Sequence, residues 1–145
     1  MNEVELRLIA EGVRKAIEQR GPELGIWLEN FPSGCCTNAS VFLGNYLKYE
    51  AGGKDTELVL GYRGKGRWME DVRHHWIETG GFIIDITADQ FPEVEAPVIV
   101  TAQSAWHERF NKGERESIRP ITSYVEEFRD SYGIVKQTVD ADRRK

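Results

Sequence analysis

The chain has no apolar run long enough to cross a bilayer, and Glu3, Glu5, Arg7 and Glu11 interrupt its first residues, so neither a membrane span nor a secretory h-region is read there. A cytoplasmic protein is expected, with export by a signal-less route left open. Cysteine is scarce: only Cys35 and Cys36 are present, too few for a disulfide framework, and neighbours bridge each other only through a strained ring. Free thiols are expected. There is no excess of positive charge either. Nineteen Lys and Arg stand against 24 Asp and Glu, a net charge of −5, which gives no long-range attraction to nucleic acid or to an anionic membrane surface. Neither is expected as a partner. Repeats, low-complexity tracts and linkers are also missing, and 145 residues suit one domain spanning 1–145 with one core.

What is present begins with helical periodicity. Leu6, Ile9, Val13, Ala16 and Ile17 line one face of a helix from about Asn2 to Arg20, ended by Gly21-Pro22. An irregular connector follows from Glu23 to Gly34, with Ile26, Trp27, Leu28 and Phe31 tucked against the core. A second helix runs from Cys35 or Cys36 to Tyr49, burying Val41, Phe42, Leu43, Tyr46 and Leu47 and stopping at Gly52-Gly53. The pattern then shifts to short runs rich in β-branched residues, which predict strands at Thr56–Tyr62, Val72–Thr79, Phe82–Thr87 and Val98–Thr101. Gly80-Gly81 is a hairpin turn, and Arg63 to Glu70 reads as a mobile loop. Ser123–Tyr132 predicts a short helix and Asp140–Lys145 a frayed, solvated end. Helices first and an antiparallel sheet afterwards define an α+β fold with helices on one sheet face.

Three residue types in this order carry chemistry. Cys36 stands at a helix start, where a thiol is more easily ionised, and a positioned imidazole lowers its pKa further. Asp85 lies in an apolar strand, where a buried carboxylate demands a partner. The hairpin decides which histidine supplies it. A two-residue Gly80-Gly81 loop places Thr79 opposite Phe82 and puts His74 on the face of Asp85; a three-residue loop puts His75 there instead. The Gly-Gly pair favours the two-residue loop, hence His74. Cys36, His74 and Asp85 are therefore the candidate nucleophile, acid/base and orienting acid. The Cys36 backbone N–H is the natural first oxyanion donor; Asn30, Gln90 and Trp76 are candidates for a second donor or a substrate contact.

The residues that carry this pattern also resemble a family. Gly34-x-Cys36 opening a helix, Gly61-Tyr62 ending a strand, His74-x-Trp76-x-Glu78 and Ile84-Asp85-x-Thr87 look like the core motifs of the transglutaminase-like superfamily of papain-fold cysteine enzymes. The resemblance covers residues 31–101, leaving 1–30 and 102–145 as elaborations that match nothing in it, and the run Asp85 to Phe91 resembles its small bacterial members. It implies a papain-like, transglutaminase-like core, with Cys36, His74 and Asp85 at the catalytic positions. It further implies thiol chemistry on amide bonds of a peptide or protein substrate, with no cofactor. Hydrolysis is the first expectation. Glutamine deamidation or transglutaminase-type acyl transfer uses the same triad and differs in the acceptor or the group that leaves. A non-catalytic binding module keeping the fold is the reading from another class, and the pattern leaves the oligomeric state open.

Plainer roles suit the other candidates. Cys35 reads as a packed core thiol. His75 is a surface or packed strand residue, His107 an exposed one, and Trp76 a core side chain or a shield for the catalytic pair. Asp89 competes with Asp85 as orienting acid, or simply shapes the turn with Gln90 and Phe91. The alternating charges from Glu108 to Arg119 read as a solvated face. A zinc site from Cys35, Cys36, His74 and His75 has suitable ligand types but the wrong spacing, so no metal is expected.

Overall fold

The computed structural model describes residues 1–63 and 72–145. Helix α1, Glu3–Arg20, begins where the Asn2 side chain accepts the Glu5 N–H at 2.9 Å, with Glu3 and Glu5 in its first turn and Arg20 in its last. Short 3-10 turns at Gly21–Glu23 and Gly25–Leu28 lead to α2, Cys36–Asn45, which continues through a π-helical turn at Tyr46–Glu50. Among the described residues five strands follow: β1 Glu57–Arg63, β2 Val72–Thr79, β3 Phe82–Asp85, β4 Ile99–Thr101 and β5 Asn111–Ser117. A one-turn helix α3, Ala105–Glu108, lies between the last two strands, and α4, Glu126–Arg143, ends the chain. All pairings are antiparallel, in the order β4-β3-β2-β1-β5. The expected α+β arrangement is thus present.

The sheet has a different kind of core on each face. Helices α1, α2 and α4 bury Leu6, Ile9, Val13, Phe42, Leu43, Val135 and Val139 against Leu58, Ile77, Ile84 and Val100. Strand residues of the other parity form a smaller cluster in which Val59, Trp76 and Phe110 pack with Phe91 and Trp106. Alternation along β2 and β3 enforces this division. Ile77 pairs with Ile84 and Thr79 with Phe82, so Trp76 and Asp85 share the aromatic face, and His74 shares it with them. The two-residue turn is as expected; Gly80 and Gly81 adopt φ of 58° and 83°, the left-handed pair that a tight hairpin needs.

Several expectations change. Ile26, expected in the core, is 74 % exposed, while Leu28 beside it is buried. Strand β3 stops at Asp85 rather than Thr87, because the chain turns away there into a 3-10 turn at Ala88–Gln90. The final helix, at 18 residues, is nearly twice the expected length and Asp140 does not fray: Val135 and Val139 pack on the core, and Tyr46 Oη donates to Asp140 Oδ1 at 2.6 Å. The charge alternation from Glu108 to Arg119 conceals β5, an edge strand whose seven residues are all exposed. The loop expected at Arg63 to Glu70 lies, beyond Arg63 itself, outside the described residues.

Gly61 shows how tightly the aromatic face is filled. It pairs with His74, and a Cβ built on it would lie 2.6 Å from the Trp76 ring and 2.8 Å from Phe110. Neither ring can withdraw from a buried cluster, so Gly61→Ala is expected to destabilise the protein by about 1–3 kcal/mol, the usual cost of overpacking, measured by urea denaturation.

Candidate active site

The site forms where β3 ends before β2 does. β3 pairs with β2 only from Ile77 to Thr79, so beyond it the β3-facing edge of β2 at His75 is open. The first residue of α2 fills that notch. The His75 backbone N–H donates to the Cys36 sulfur, and His75 Nδ1 stands 3.9 Å from it. Because His74 and His75 project to opposite faces of β2, a sulfur at the strand edge meets both imidazoles. Thr37 Oγ1 holds the His75 ring at 2.9 Å. Upstream, Asn38 donates to the Trp27 carbonyl at 2.9 Å and ties the connector to α2.

On the aromatic face, His74 Nε2 lies 2.7 Å from Asp85 Oδ2, which leaves Nδ1 as the ring nitrogen free for the sulfur. Asp85 Oδ1 accepts the Thr87 N–H at 3.0 Å. His74 and Asp85 are both fully buried, and the rings of Trp76, Phe91, Trp106 and Phe110 surround His74. Cys36, His74 and Asp85 therefore come together. His107 departs from expectation: it is not exposed but 1 % accessible, with Nε2 also 2.7 Å from Asp85 Oδ2. Sequence reasoning missed this because α3 is a single turn whose apolar pattern is too short to show an inward face. The signal available was Ser104, which caps α3 by accepting the His107 N–H.

Burial by itself would push the Cys36 thiol up. The bonds from His74 and His75 and the charge on His74 outweigh that and bring it down from 9.0 to about 5. For His74 burial works the other way, but Asp85 and the Cys36 sulfur raise it to about 9. Asp85, which burial would raise, is held well below the usual carboxylate range by its bonds from His107 and His74. Between these limits Cys36 and His74 form a thiolate–imidazolium pair. The other thiol is unlike it: Cys35 is buried, bonds the Glu29 and Ser33 carbonyls at 3.3 and 3.4 Å, and is pushed up by burial and by the charge of Cys36.

The remaining candidates separate clearly. Gln90 reaches the site, with its amide nitrogen 3.4 Å from His74 Nδ1 and its Oε1 accepting the Gly34 N–H at 3.4 Å. Trp76 is fully buried and donates to Glu78 at 2.9 Å, so it screens His74 and does not face a substrate. Asn30 lines a separate cavity of about 720 Å³ with Ile17, Leu28 and Phe31, and none of Cys36, His74 and Asp85 lines that cavity. Asp89 is engaged elsewhere. Its two oxygens accept from Arg14 at 2.7 and 2.9 Å, and Arg14 also donates to the Ile86 and Pro97 carbonyls and lies over the Phe31 ring at 4.8 Å. One buried guanidinium thus ties α1 both to the turn carrying Gln90 and to the segment leading into Cys36.

The donor atoms of His74, Asp85 and His107 lie within 4.8 Å of one another and are of types that suit a transition metal. They are occupied by each other, however, with both N–H groups on one oxygen, so an ion would have to expel both protons. Comparison with protein-family models, with curated proteins and with solved structures finds no match. No helix among the described residues is long and apolar enough to cross a membrane.

Alkylation by iodoacetamide should accordingly modify Cys36 and spare Cys35. Its rate should rise as pH increases through about 5, where the thiolate forms, and should change again near 9, where the imidazolium is lost. Peptide mapping across a pH series would show this, and a rate that rises only near the ordinary thiol value would contradict it. Replacing Arg14 by Met should cost several-fold in Cys36 reactivity by loosening the Ile86–Pro97 segment, while thiolate absorbance keeps its midpoint.

Proposed function

We propose that the protein is a cysteine-dependent hydrolase acting on peptide or carboxamide bonds. The observation that carries this reading is the convergence of a depressed thiol, a raised imidazole and a buried carboxylate from three separate elements. Strongly perturbed groups placed together in this way are typical of reacting sites rather than of packing. The order of a helix-borne cysteine, a strand-borne histidine and a strand-end aspartate supports reading the α+β fold as papain-like, of the transglutaminase-like kind that the motifs resemble.

In the proposed reaction the Cys36 thiolate attacks the carbonyl carbon of the amide. Charge develops on the carbonyl oxygen, and Cys36, as the first residue of α2, has an N–H without a partner inside the helix to meet it. Gln90 offers an amide N–H beside His74 as the second donor. As the tetrahedral species collapses, His74 gives its proton to the leaving nitrogen, and an amine or ammonia departs from a thioester on Cys36. Neutral His74 then takes a proton from water, whose oxygen attacks the thioester. Collapse releases the carboxylic acid and restores the thiolate–imidazolium pair. Asp85 stays ionised throughout and holds the ring.

Incubation with a panel of glutamine-containing peptides, followed by intact-mass measurement, tests this directly. Hydrolysis of the backbone appears as shorter products, deamidation as a gain of about one dalton, and acyl transfer as an adduct with an added amine. Cys36→Ser and His74→Ala should each lower the rate by several orders of magnitude, Asp85→Asn by less and Cys35→Ser hardly at all. An unreactive Cys36 with no turnover of any peptide would favour a binding module instead.

A further inference from the structure

We propose that His107 is a positioning residue which, with Ser104, locks the Asp85 carboxylate so that it holds His74 with Nδ1 turned to the Cys36 sulfur. This deepens the function proposed above and rests on it. His107 does not itself touch a substrate, since it is 1 % accessible and lies behind Asp85 from the sulfur's side of the relay.

The hydrogen bonds assign the tautomer. The ionised Asp85 carboxylate can only accept, so His107 Nε2 carries a proton and donates it to Oδ2 at 2.7 Å. In the neutral ring Nδ1 is then the acceptor, and Ser104 Oγ, which accepts the backbone N–H of His107 at 3.2 Å, donates its one hydrogen to that nitrogen across 2.6 Å. The carboxylate is in this way held at three points: by His74 and His107 on Oδ2 and by the Thr87 N–H on Oδ1. Trp76 and Trp106, both 4.8 Å from the His107 ring centroid, keep the imidazole from turning. A histidine that merely filled space would need neither the serine nor the shared oxygen.

Without the second donor, a buried carboxylate with only His74 and one amide would be less well stabilised and freer to rotate. The thiolate–imidazolium pair that depends on it would weaken from both sides. The titratable groups bearing on that pair, among the described residues, are Cys36 of α2 with Cys35 just before it, His74 and His75 of β2, Asp85 of β3 and His107 of α3. On the other sides stand the uncharged rings of Trp76, Phe91, Trp106 and Phe110, with Arg63 over Phe91 and Phe110. Arg14 and Asp89 are paired with each other.

The experiment follows the pH dependence of Cys36 alkylation and thiolate absorbance in the full chain, which needs no substrate. The variants are His107→Leu, His107→Gln and Ser104→Ala. In His107→Leu the acid-side midpoint should rise and the alkaline-side midpoint fall, each by about one pH unit, the scale of one hydrogen bond to a charged group. His107→Gln, whose amide N–H occupies a similar place to Nε2, should restore most of the window, and Ser104→Ala should fall between. If His107→Leu does not fold, the same comparison between His107→Gln and Ser104→Ala carries the test. Midpoints that stay fixed while only the reactive fraction drops would overturn the proposal, since that is what a purely structural role gives. So would one tightly bound metal ion per chain, lost in His107→Gln, because the cluster would then be a metal site. An ordinary thiol in the unmodified protein would sink the proposed function itself, and this inference with it.

Discussion

An ionised carboxylate with no contact with water is the constraint around which the functional half of this molecule is arranged. Asp85 is 1 % accessible, and removing such a charge from solvent costs several kcal/mol unless donors replace the lost hydration. Three donors do so: two imidazoles and one backbone amide. Each comes from a different stretch of chain, so the turn after β3, the middle of β2 and the single-turn helix α3 must all be in place together. The aromatic cluster then does more than pack. By excluding water it deprives the His74 imidazolium of hydration, a cost that the bonds to Asp85 and to the Cys36 sulfur outweigh, so that the ring still holds its proton more tightly than a free imidazole.

The second constraint is geometric. Alternating strand residues face opposite sides, and two neighbouring histidines would ordinarily never meet the same atom. The early end of β3 changes that, because an atom seated at the exposed edge of β2 is beside both faces and beside a free backbone N–H as well. The nucleophile is therefore held by strand backbone as much as by side chains. Arg14 sets the position of this notch from a distance, joining α1 to the Asp89 carboxylate and to the carbonyls of Ile86 and Pro97. It is a core helix that fixes the loop bearing Gln90.

How much of this could be read from residues alone follows from how local each signal is. The apolar stripes of α1 and α2, and the Gly80-Gly81 turn with its register, are short-range patterns, and the turn alone puts His74 on the face of Asp85. Cys36 was legible from Gly34 and the helix start. What was lost is what depends on distant partners. His107 reads as a polar residue in a polar stretch, and only the fold shows that α3 turns it inward. β5 has no apolar face to reveal it, since it is an edge strand with both faces exposed. Ile26 carries a core residue's side chain to the surface because the 3-10 turn containing it buries Leu28 instead. The C-terminal end of α4 reads as frayed in the sequence because the residue that pins Asp140, Tyr46, lies 94 residues away.

The composition of β5 has one more consequence. A sheet edge offers unpaired amides and carbonyls to any strand that approaches, and an apolar edge invites growth into fibrils. Here the outermost strand reads Asn-Lys-Gly-Glu-Arg-Glu-Ser, and the opposite margin, β4, is only three residues long. One border carries charged side chains of both signs that pairing would have to desolvate, the other is too brief to template a neighbour. Both margins of the sheet that carries the reactive thiol are thereby poor templates for a strand from another molecule.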